Sequence, residues 1–255
     1  MQLQWAVIRR IVDRKRPVSL AKPFNTRPLY QQVADEFIAR IVSKAWAPGQ
    51  AIENEAEIAR SFGISLGTVR KAFDILTAHN LLERHQGKGT VVADFEGGKM
   101  RSRFSNIFDR SGNRVSGEVS VSKVVLGTAP PEAAETLGVN GRTPVLQFER
   151  RRTHLGRLFM TEEVFLRVGA TAKTMSQEAL EGVATARWTG QDLATHKRER
   201  ATAEPATAAD KRNFKLTGDA AVLRLQRIIS SYQDRPLELR IGRCHLGGDL
   251  VYATS

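Results

Sequence analysis

The sequence is poor in cysteine and in long apolar runs. Its only cysteine, Cys244, excludes an intrachain disulfide and a cluster of thiolate metal ligands. The five histidines are scattered and lack the close ligand spacings of a zinc site. No apolar run approaches the ~20 residues that a membrane-spanning helix needs, and the apolar segment 5–8 is too short for a signal-peptide core. We therefore expect a cytoplasmic chain with no structural metal, no cofactor and no membrane partner.

Basic residues outnumber acidic ones. The 255 residues include 39 Lys and Arg against 27 Asp and Glu, which gives a formal net charge of +12 and a sequence pI of about 10.3. A net positive charge of this size suits a polyanionic partner such as nucleic acid. The length favours two domains over one, because single cores seldom grow beyond about 250 residues.

The most informative segment is 28–92, whose apolar spacing predicts three helices and then a β-hairpin. Asn54, with Glu57 three residues later, has the form of a capping box at the start of the second helix. Gly63 suits the left-handed residue that ends this helix. The first helix would bury one face, which carries Leu29, Val33, Phe37 and Ile41.

A third helix follows after a short turn, and Ser65 can cap it. Two brief helices joined by a short turn with glycine are typical of a helix-turn-helix, whose second helix enters a DNA major groove. The next hairpin, with a Gly-rich turn at 86–89, would be the wing. Three ordinary helices of a bundle with a surface hairpin are the alternative on pattern alone. The apolar side of the third helix carries Val69, Ala72, Phe73 and Leu76.

The segment resembles the winged helix of GntR-type transcription regulators. That family shows, in order, P-L-Y, P-G, L-P-S-E, V-S-R-x-T-V-R and Q-G-x-G-T-F-V. Here the corresponding stretches are PLY, PG, IENE, ISLGTVR and QGKGTVV, at 28–30, 48–49, 52–55, 64–70 and 86–92. The resemblance implies a DNA-binding domain over 28–95 and a homodimer on an inverted-repeat operator in double-stranded DNA.

The resemblance also implies individual DNA contacts. Ser65, Thr68 and Arg70 would meet phosphates or base edges, and Gln86 and Gly87 would lie in the minor groove. Chemistry alone adds further candidates. The full set of expected DNA-binding residues is Ser65, Leu66, Gly67, Thr68, Arg70, Lys71, Arg84, Gln86, Gly87 and Lys88.

The added candidates differ in the contact that we expect. Leu66 could touch a thymine methyl group, and Gly67 could allow close approach to the DNA backbone. Lys71, Arg84 and Lys88 could meet phosphates, although exposed cations are as often simply solvated.

Two departures from the family pattern affect base reading. The family often has arginine at the positions of Ala56 and Leu66. A bidentate contact between arginine and guanine contributes roughly 1–3 kcal/mol of discrimination. We therefore expect a weakened or redirected choice of operator.

Two segments flank this domain. Residues 1–27 form a basic extension. It is an arm that contacts the DNA backbone or a partner, or else a disordered extension or the result of a start codon assigned too early. Residues 96–105 begin with Glu-Gly-Gly-Lys, a composition that indicates a linker. A second domain is expected over 106–255.

The second domain contains a weak internal repeat. Residues 144–150 are answered by 221–227, an offset of 77 (227 minus 150). In each copy a helix-like segment leads into a strand, a turn and another strand. This indicates an α+β domain with a pseudo-duplicated antiparallel sheet, and chance similarity of two strands is the alternative.

Two arginines follow the core face of the first repeated strand. Alternation that puts Leu146 and Phe148 on one face places Arg150 and Arg152 on the same face. Buried arginines need carboxylate neighbours or a bound anion, and Glu162 on the following strand is one partner that fits. In the alternative, the strand leaves the core at Arg150 and both arginines are solvated.

Residues from about 106 to the end resemble the UTRA effector domain of the HutC branch of GntR regulators, a fold shared with chorismate lyase. The resemblance implies that Arg150, Arg152 and Glu162 line an effector pocket and bind phosphate or carboxylate and sugar hydroxyls. The family often has tyrosine at the position of Leu246 and proline at the position of Arg167. Because this chain differs at both positions, the resemblance does not identify the effector. The matching positions are Pro144-Val145, Arg150-x-Arg152, Gly156, Glu162, Pro236-x-Glu238 and Gly248-Asp249.

These patterns together predict an α+β chain, a winged helix-turn-helix domain followed by a chorismate-lyase-like (UTRA) domain. The expected function is a dimeric transcription repressor that senses a small anionic metabolite. A ligand-independent DNA-binding or architectural protein is one alternative. An enzyme is another, although the sequence has no nucleophile elbow, no ordered Ser/His/Asp set and no Gly-rich phosphate loop.

Overall fold

The computed structural model describes residues 27–87, 89–93, 104–185, 194–231 and 233–254. The predictions for the basic extension before Arg27, for Lys88 and for the linker up to residue 103 lie outside these residues. The chain divides into two compact units, Met1–Asp94 and Phe95–Ser255, and each is described by itself.

The first unit has three helices and a hairpin, as the sequence predicts. The capping box is present, since the Asn54 side chain accepts from the Glu57 N–H at 2.9 Å and the Glu57 carboxylate accepts from the Asn54 N–H at 3.3 Å. Gly63 has φ 64°, and Ser65 caps the third helix. These local predictions are confirmed. The elements are α1 (Leu29–Val42), α2 (Glu55–Phe62), α3 (Leu66–Ala78), β1 (Leu82–His85) and β2 (Gly89–Val92).

An aromatic cluster joins α1 to α3. The Phe37 ring lies 5.6 Å from Phe73 and 5.1 Å from Trp46, centroid to centroid. The expectation that Leu29 is buried was wrong, because its side chain is 45% exposed. Leu29 is the first residue of α1, and the buried stripe begins one turn later, at Val33. Ala34 and Ile38 widen that stripe, because a helix turns every 3.6 residues rather than every four.

The second unit contains a six-stranded antiparallel sheet in the order β4-β5-β6-β9-β8-β7, and a small sheet of β3 and β10. The predicted α+β class is therefore confirmed. Its elements are β3 (Ile107–Asp109), β4 (Glu118–Gly127), α4 (Pro131–Leu137), β5 (Val145–His154), β6 (Arg157–Arg167), a 3-10 helix (Ala170–Thr174), α5 (Gln177–Thr185), β7 (Ala194–Pro205), α6 (Ala208–Phe214), β8 (Ala221–Ser231), β9 (Pro236–Cys244) and β10 (Leu250–Tyr252).

The large sheet is built from two copies of one strand-helix-strand-strand unit. The first copy is β4-α4-β5-β6 and the second is β7-α6-β8-β9, and pairing of β6 with β9 joins them. This agrees with the predicted duplication. In the register, Arg150 faces Glu162 and Arg227 faces Arg240. The two halves therefore carry different charges at corresponding positions.

One face of this sheet has a charged band between two apolar clusters. Along β6, Met160 belongs to a cluster with Phe159 and Leu225, and Val164 belongs to a cluster with Phe148. Glu162 lies between Met160 and Val164, on the same side of the strand. The sheet thus places charged side chains inside an otherwise apolar layer.

Candidate functional site

The start of α3 faces solvent while its opposite side is buried. Val69 and Phe73 are buried and hold the helix in the first unit. Ser65 Oγ lies 2.9 Å from Thr68 Oγ1, so the capping hydroxyl and the next predicted contact residue fix each other. Thr68 is half-buried. The exposed residues that the sequence predicts as DNA contacts on α3 and its cap are Ser65, Leu66, Gly67, Arg70 and Lys71.

The β1–β2 hairpin brings the remaining described candidates to the surface of the same unit. Arg84 on β1 is exposed, as are Gln86 and Gly87 in the turn. Gly87 has φ 77°, in the left-handed region that favours glycine. The described DNA-contact candidates therefore occupy two exposed elements, α3 and the hairpin.

A network of charged side chains joins α2, α3 and the hairpin. Arg70 Nε donates to Glu55 Oε2 at 2.8 Å, and Arg84 Nη2 lies 3.5 Å from Glu55 Oε1. Arg84 Nη2 also donates to Asp74 Oδ1 at 2.8 Å. Sequence reasoning named the two arginines and missed both acids. The spacing of four residues between Arg70 and Asp74 was a signal that Asp74 shares this face of α3.

The second candidate site is the charged band of the large sheet. Arg150 and Arg152 are 8% and 7% exposed, which confirms that they follow the core side of β5. The alternative of two solvated arginines is therefore wrong. The other buried charged residues of the band are Glu162, Glu199, Arg227, Glu238 and Arg240.

The two predicted arginines are held very differently. Arg152 Nε donates to Glu162 Oε2 at 2.6 Å, and its Nη1 donates to the Ser116 carbonyl at 2.7 Å. The contacts between Arg150 and Glu238 measure 3.4 and 3.5 Å, and its distance to Glu162 is 3.8 Å. Burial, reinforced by the charge of Arg240, lowers the pKa of Arg150 to about 10. Arg150 is therefore a buried cation, still charged at neutral pH, with loose ion-pair contacts.

The second half of the sheet contributes two closer ion pairs. Arg240 donates to both Glu238 oxygens, at 2.7 and 3.1 Å, and Arg227 Nε lies 2.5 Å from Glu199 Oε2. Burial acts to raise the pKa of Glu238, but Arg240 and Arg150 together bring it below its ordinary value. The Glu238 carboxylate is therefore ionised at neutral pH.

The charge of the band does not balance. Its four arginines (Arg150, Arg152, Arg227 and Arg240) outnumber its three glutamates (Glu162, Glu199 and Glu238), and Lys197 adds a further cation 3.7 Å from Glu199. An uncompensated buried charge costs several kcal/mol, so the band suits an anion of carboxylate or phosphate type. Sequence reasoning found three of these seven arginines and glutamates. The internal repeat could have found Arg227, because it lies 77 residues after Arg150.

Glu199 ties the band to the strands β3 and β10. Its Oε1 accepts from Asn106 Nδ2 at 2.8 Å and from Tyr252 Oη at 3.0 Å. Lys197, two residues earlier, donates to the Phe104 carbonyl at 2.8 Å. Burial lowers the pKa of Lys197 to about 8. The segment that follows residue 103 is therefore attached to β7 by two polar contacts.

The region of the second unit where the sequence departs from the UTRA pattern is held by Arg157. Its guanidinium donates to the carbonyls of His245 and Leu246, each at 3.0 Å, and to Asp249 Oδ1 at 2.6 Å. Leu246, at the position where the family often has tyrosine, packs against an apolar cluster that includes Leu250. An apolar contact therefore takes the place of a hydroxyl group.

The described part of the chain contains neither a cluster of metal ligands nor a membrane-spanning helix. Across those residues, no group of three or more His, Cys, Asp or Glu side chains could hold a metal ion. The helices within the same residues are all too short or too polar to span a membrane.

Comparison with known protein families decides the classification. Residues 29–92 match the family described as bacterial regulatory proteins, gntR family, and residues 115–246, more than half of the chain, match the UTRA domain. The chain belongs to the GntR family. The GntR match runs from α1 to β2, and the UTRA match contains both copies of the duplicated unit.

Individual relatives agree with GntR membership. The chain is 37% identical over 82 residues to the histidine utilization repressor of Pseudomonas aeruginosa, and the match covers 32% of this chain and 33% of that protein. The chain therefore spans about a third of the length of that relative. It is 25% identical over 216 residues to the HTH-type transcriptional regulator RB1450 of Rhizobium meliloti, which covers 82% of this chain and 88% of that regulator.

A solved structure has the same fold as the second unit of this GntR protein. It is described as the ligand-binding domain of a GntR-family transcriptional regulator from Bordetella bronchiseptica, with a TM-score of 0.51 at 19% identity. The match covers 60% of this chain and 97% of that domain. At this identity the likeness concerns the fold alone.

Proposed function

We propose that this GntR-family protein is a cytoplasmic, homodimeric repressor that binds an inverted-repeat operator and releases it when a small anionic metabolite binds to the charged band. The observation that carries the proposal is Arg150, a buried cation whose contacts with Glu162 and Glu238 all exceed 3.3 Å. A carboxylate or phosphate group would supply the close partner that this guanidinium lacks among its glutamates. No ordered set of catalytic groups in the sequence favours an enzyme.

Repression is favoured by the names of relatives, several of which are histidine utilization repressors. Because the alignments cover 33% or less of those proteins, the compound to which each responds is not transferred to this chain. The effector class rests instead on the excess positive charge of the band.

The proposed mechanism is a linkage between two binding equilibria. Two recognition helices of a dimer fit an operator only when their separation matches successive major grooves. Suppose that an anion binds more tightly to a dimer whose recognition helices have a different separation. At saturation it lowers operator affinity by a factor of at most the ratio of its affinities for the two dimer conformations. An anion with equal affinity for both states would change nothing.

The DNA-binding part is tested by selecting bound sequences from a random duplex library at about 0.15 M salt. We expect an inverted repeat that wild type enriches and Arg70→Ala does not. Arg142→Ala, which removes the same charge from an exposed loop of the second unit, is the matched control and should enrich the same sequence. Binding without any enriched sequence would favour an architectural protein over a regulator.

The effector part is tested by titrating carboxylates and phosphate monoesters at constant ionic strength. We expect one of them to raise the melting temperature and to weaken operator binding. Both effects should disappear in Arg150→Ala and persist in Arg151→Ala. Arg151 is the adjacent arginine, and it points to the exposed face of the same strand. If every stabilising anion leaves operator affinity unchanged, the proposed regulation is wrong.

A further inference from the structure

We infer that Glu55 is a specificity-determining residue of the DNA-binding unit, which acts by positioning the guanidinium of Arg70 for base reading. The inference rests on the proposed function, because it requires that α3 reads DNA. It concerns an acid, a residue type that simple electrostatics would exclude from a surface that binds a polyanion.

The position of Glu55 lets it reach two elements at once. It is the first residue of α2, directly after the capping residue Asn54, and its side chain is 23% exposed. One carboxylate oxygen accepts from Arg70 on α3 at 2.8 Å, and the other lies 3.5 Å from Arg84 on the hairpin. A single side chain thus contacts both elements that carry the candidate DNA contacts.

The atom of Arg70 that Glu55 engages matters for recognition. The hydrogen bond uses Nε, so it fixes the guanidinium plane without using the terminal Nη groups. A guanine is read by two parallel hydrogen bonds from a guanidinium to O6 and N7, which requires a fixed orientation of the plane. A phosphate contact has no such requirement, because any N–H group can serve. The arrangement therefore favours base reading by Arg70.

The sequence of this chain makes Arg70 unusually important. The side chains of Ala56 and Leu66, next to Glu55 and to the cap Ser65, have no hydrogen-bonding groups, so neither can read a base edge by hydrogen bonds. Arg70 is 63% exposed at its side chain, and without a partner its long chain would sample many rotamers. Glu55 offsets that entropy cost before DNA arrives.

The two roles of Glu55, as a negative charge and as a positioning residue, predict opposite changes in DNA affinity when it is replaced. Removing a negative charge near DNA should strengthen binding to every sequence. Removing a positioning residue should weaken binding to the correct sequence alone. For Glu55→Gln we therefore expect affinity for the selected operator to fall by about 5-fold to 150-fold, the range of one bidentate base contact. Affinity for random duplex should stay equal or rise.

Asp74→Asn is the matched control. It removes the same charge from the same network, but in the described contacts Asp74 is bonded to Arg84 and not to Arg70. We expect operator and random duplex to gain affinity together in this variant. Glu55→Asp keeps the charge and shortens the reach, so it should lose operator affinity without any gain on random duplex. Thermal unfolding of each variant verifies that the unit is folded.

A double substitution tests whether Glu55 acts through Arg70. In the Arg70→Ala background, Glu55→Gln should cause no further loss on the operator, because the side chain that it positions is gone. A loss of the same size in both backgrounds would overturn the inference, as would equal changes on operator and random duplex in Glu55→Gln alone. If wild type enriches no sequence, the proposed function fails and Glu55 has no specificity to determine. An enriched operator that Glu55→Gln binds like wild type overturns the inference alone.

Discussion

Arg150 and Arg227 occupy corresponding positions in the two halves of the six-stranded sheet. Arg150 faces Glu162 across β5 and β6, whereas Arg227 faces Arg240 across β8 and β9. If both copies of the unit had kept the same charges, Arg227 would face a carboxylate, as Arg150 does. Because Arg240 stands where the repeat would have an acid, the band holds more arginines than glutamates, and Arg150 has the longest ion-pair contacts of the four arginines.

This difference predicts unequal effects of removing the two predicted arginines. In Arg152→Ala, Glu162 loses its partner at 2.6 Å and, among the described ion pairs, keeps only the loose contact with Arg150. Removing one member of a buried ion pair costs about 3–5 kcal/mol. We expect Arg150→Ala to cost clearly less in the absence of an anion, because it also removes one of the excess positive charges of the band. Urea unfolding of both variants measures the difference, and a larger loss in Arg150→Ala would contradict the charge count.

Much of the first unit could be predicted from the sequence, because its signals are local. The capping pair Asn54 and Glu57, the left-handed Gly63 and the cap Ser65 each act within four residues. Leu29 was misplaced because the spacing of four continues to the first residue of α1, whereas the buried side of that helix begins one turn later, at Val33.

The second unit could be predicted only along single strands. Alternation placed Arg150 and Arg152 on the core side of β5, and that prediction is confirmed. Whether Arg240, Arg227 and Glu199 join them depends on the order in which β9, β8 and β7 follow β6. Strand order is set by contacts between distant segments, which no short pattern in the chain reports.

Glu199 should hold the segment that follows residue 103. Its carboxylate accepts from Arg227, Asn106 and Tyr252. In Glu199→Gln the charge is lost and Arg227 keeps no close carboxylate among the described residues, so we expect a loss of about 3–5 kcal/mol. Hydrogen exchange should accelerate in β3 and β10 more than in β5. Equal acceleration throughout the sheet would mean that Glu199 stabilises the sheet generally.

Lys197 should make stability depend on alkaline pH. Burial lowers its pKa from the ordinary 10.5 to about 8, so between these values the unfolded chain holds a proton that the folded protein has released. Stability from this group therefore rises with pH across that window, is complete above about 10.5 and is lost as pH falls through about 8. We expect the free energy of unfolding of wild type, relative to Lys197→Met, to increase by about 1–3 kcal/mol from pH 8 to 10.5.

The comparison with Lys197→Met is needed because Cys244 acts in the opposite direction. Burial raises the pKa of its thiol to about 12. The unfolded chain then loses its proton first, and the stability from this group falls as pH rises. Both proteins contain Cys244, so its contribution cancels in the difference. A difference that does not change with pH would show that Lys197 titrates normally.

Gly67 should be replaceable in the folded protein but not on DNA. Among the described residues, and apart from its chain neighbours and the backbone of its own helix, a Cβ atom at this position would have only Ser65 Oγ within 4 Å, at 3.9 Å, an ordinary van der Waals distance. Because alanine favours helices over glycine by up to about 1 kcal/mol, Gly67→Ala should leave stability equal or slightly higher. If the exposed backbone at Gly67 approaches DNA closely, the added methyl group should nevertheless weaken operator binding.

Gly63→Ala is the matched control for this prediction. Gly63 has φ 64°, so alanine there is strained although the surroundings leave room for a Cβ atom. We expect this variant to lose about 1 kcal/mol of stability and, once folded, to bind operator like wild type. Gly67→Ala should therefore keep its melting temperature and lose operator affinity, whereas Gly63→Ala should lose melting temperature and keep operator affinity. If Gly67→Ala binds operator with undiminished affinity, the start of α3 does not approach DNA closely at residue 67.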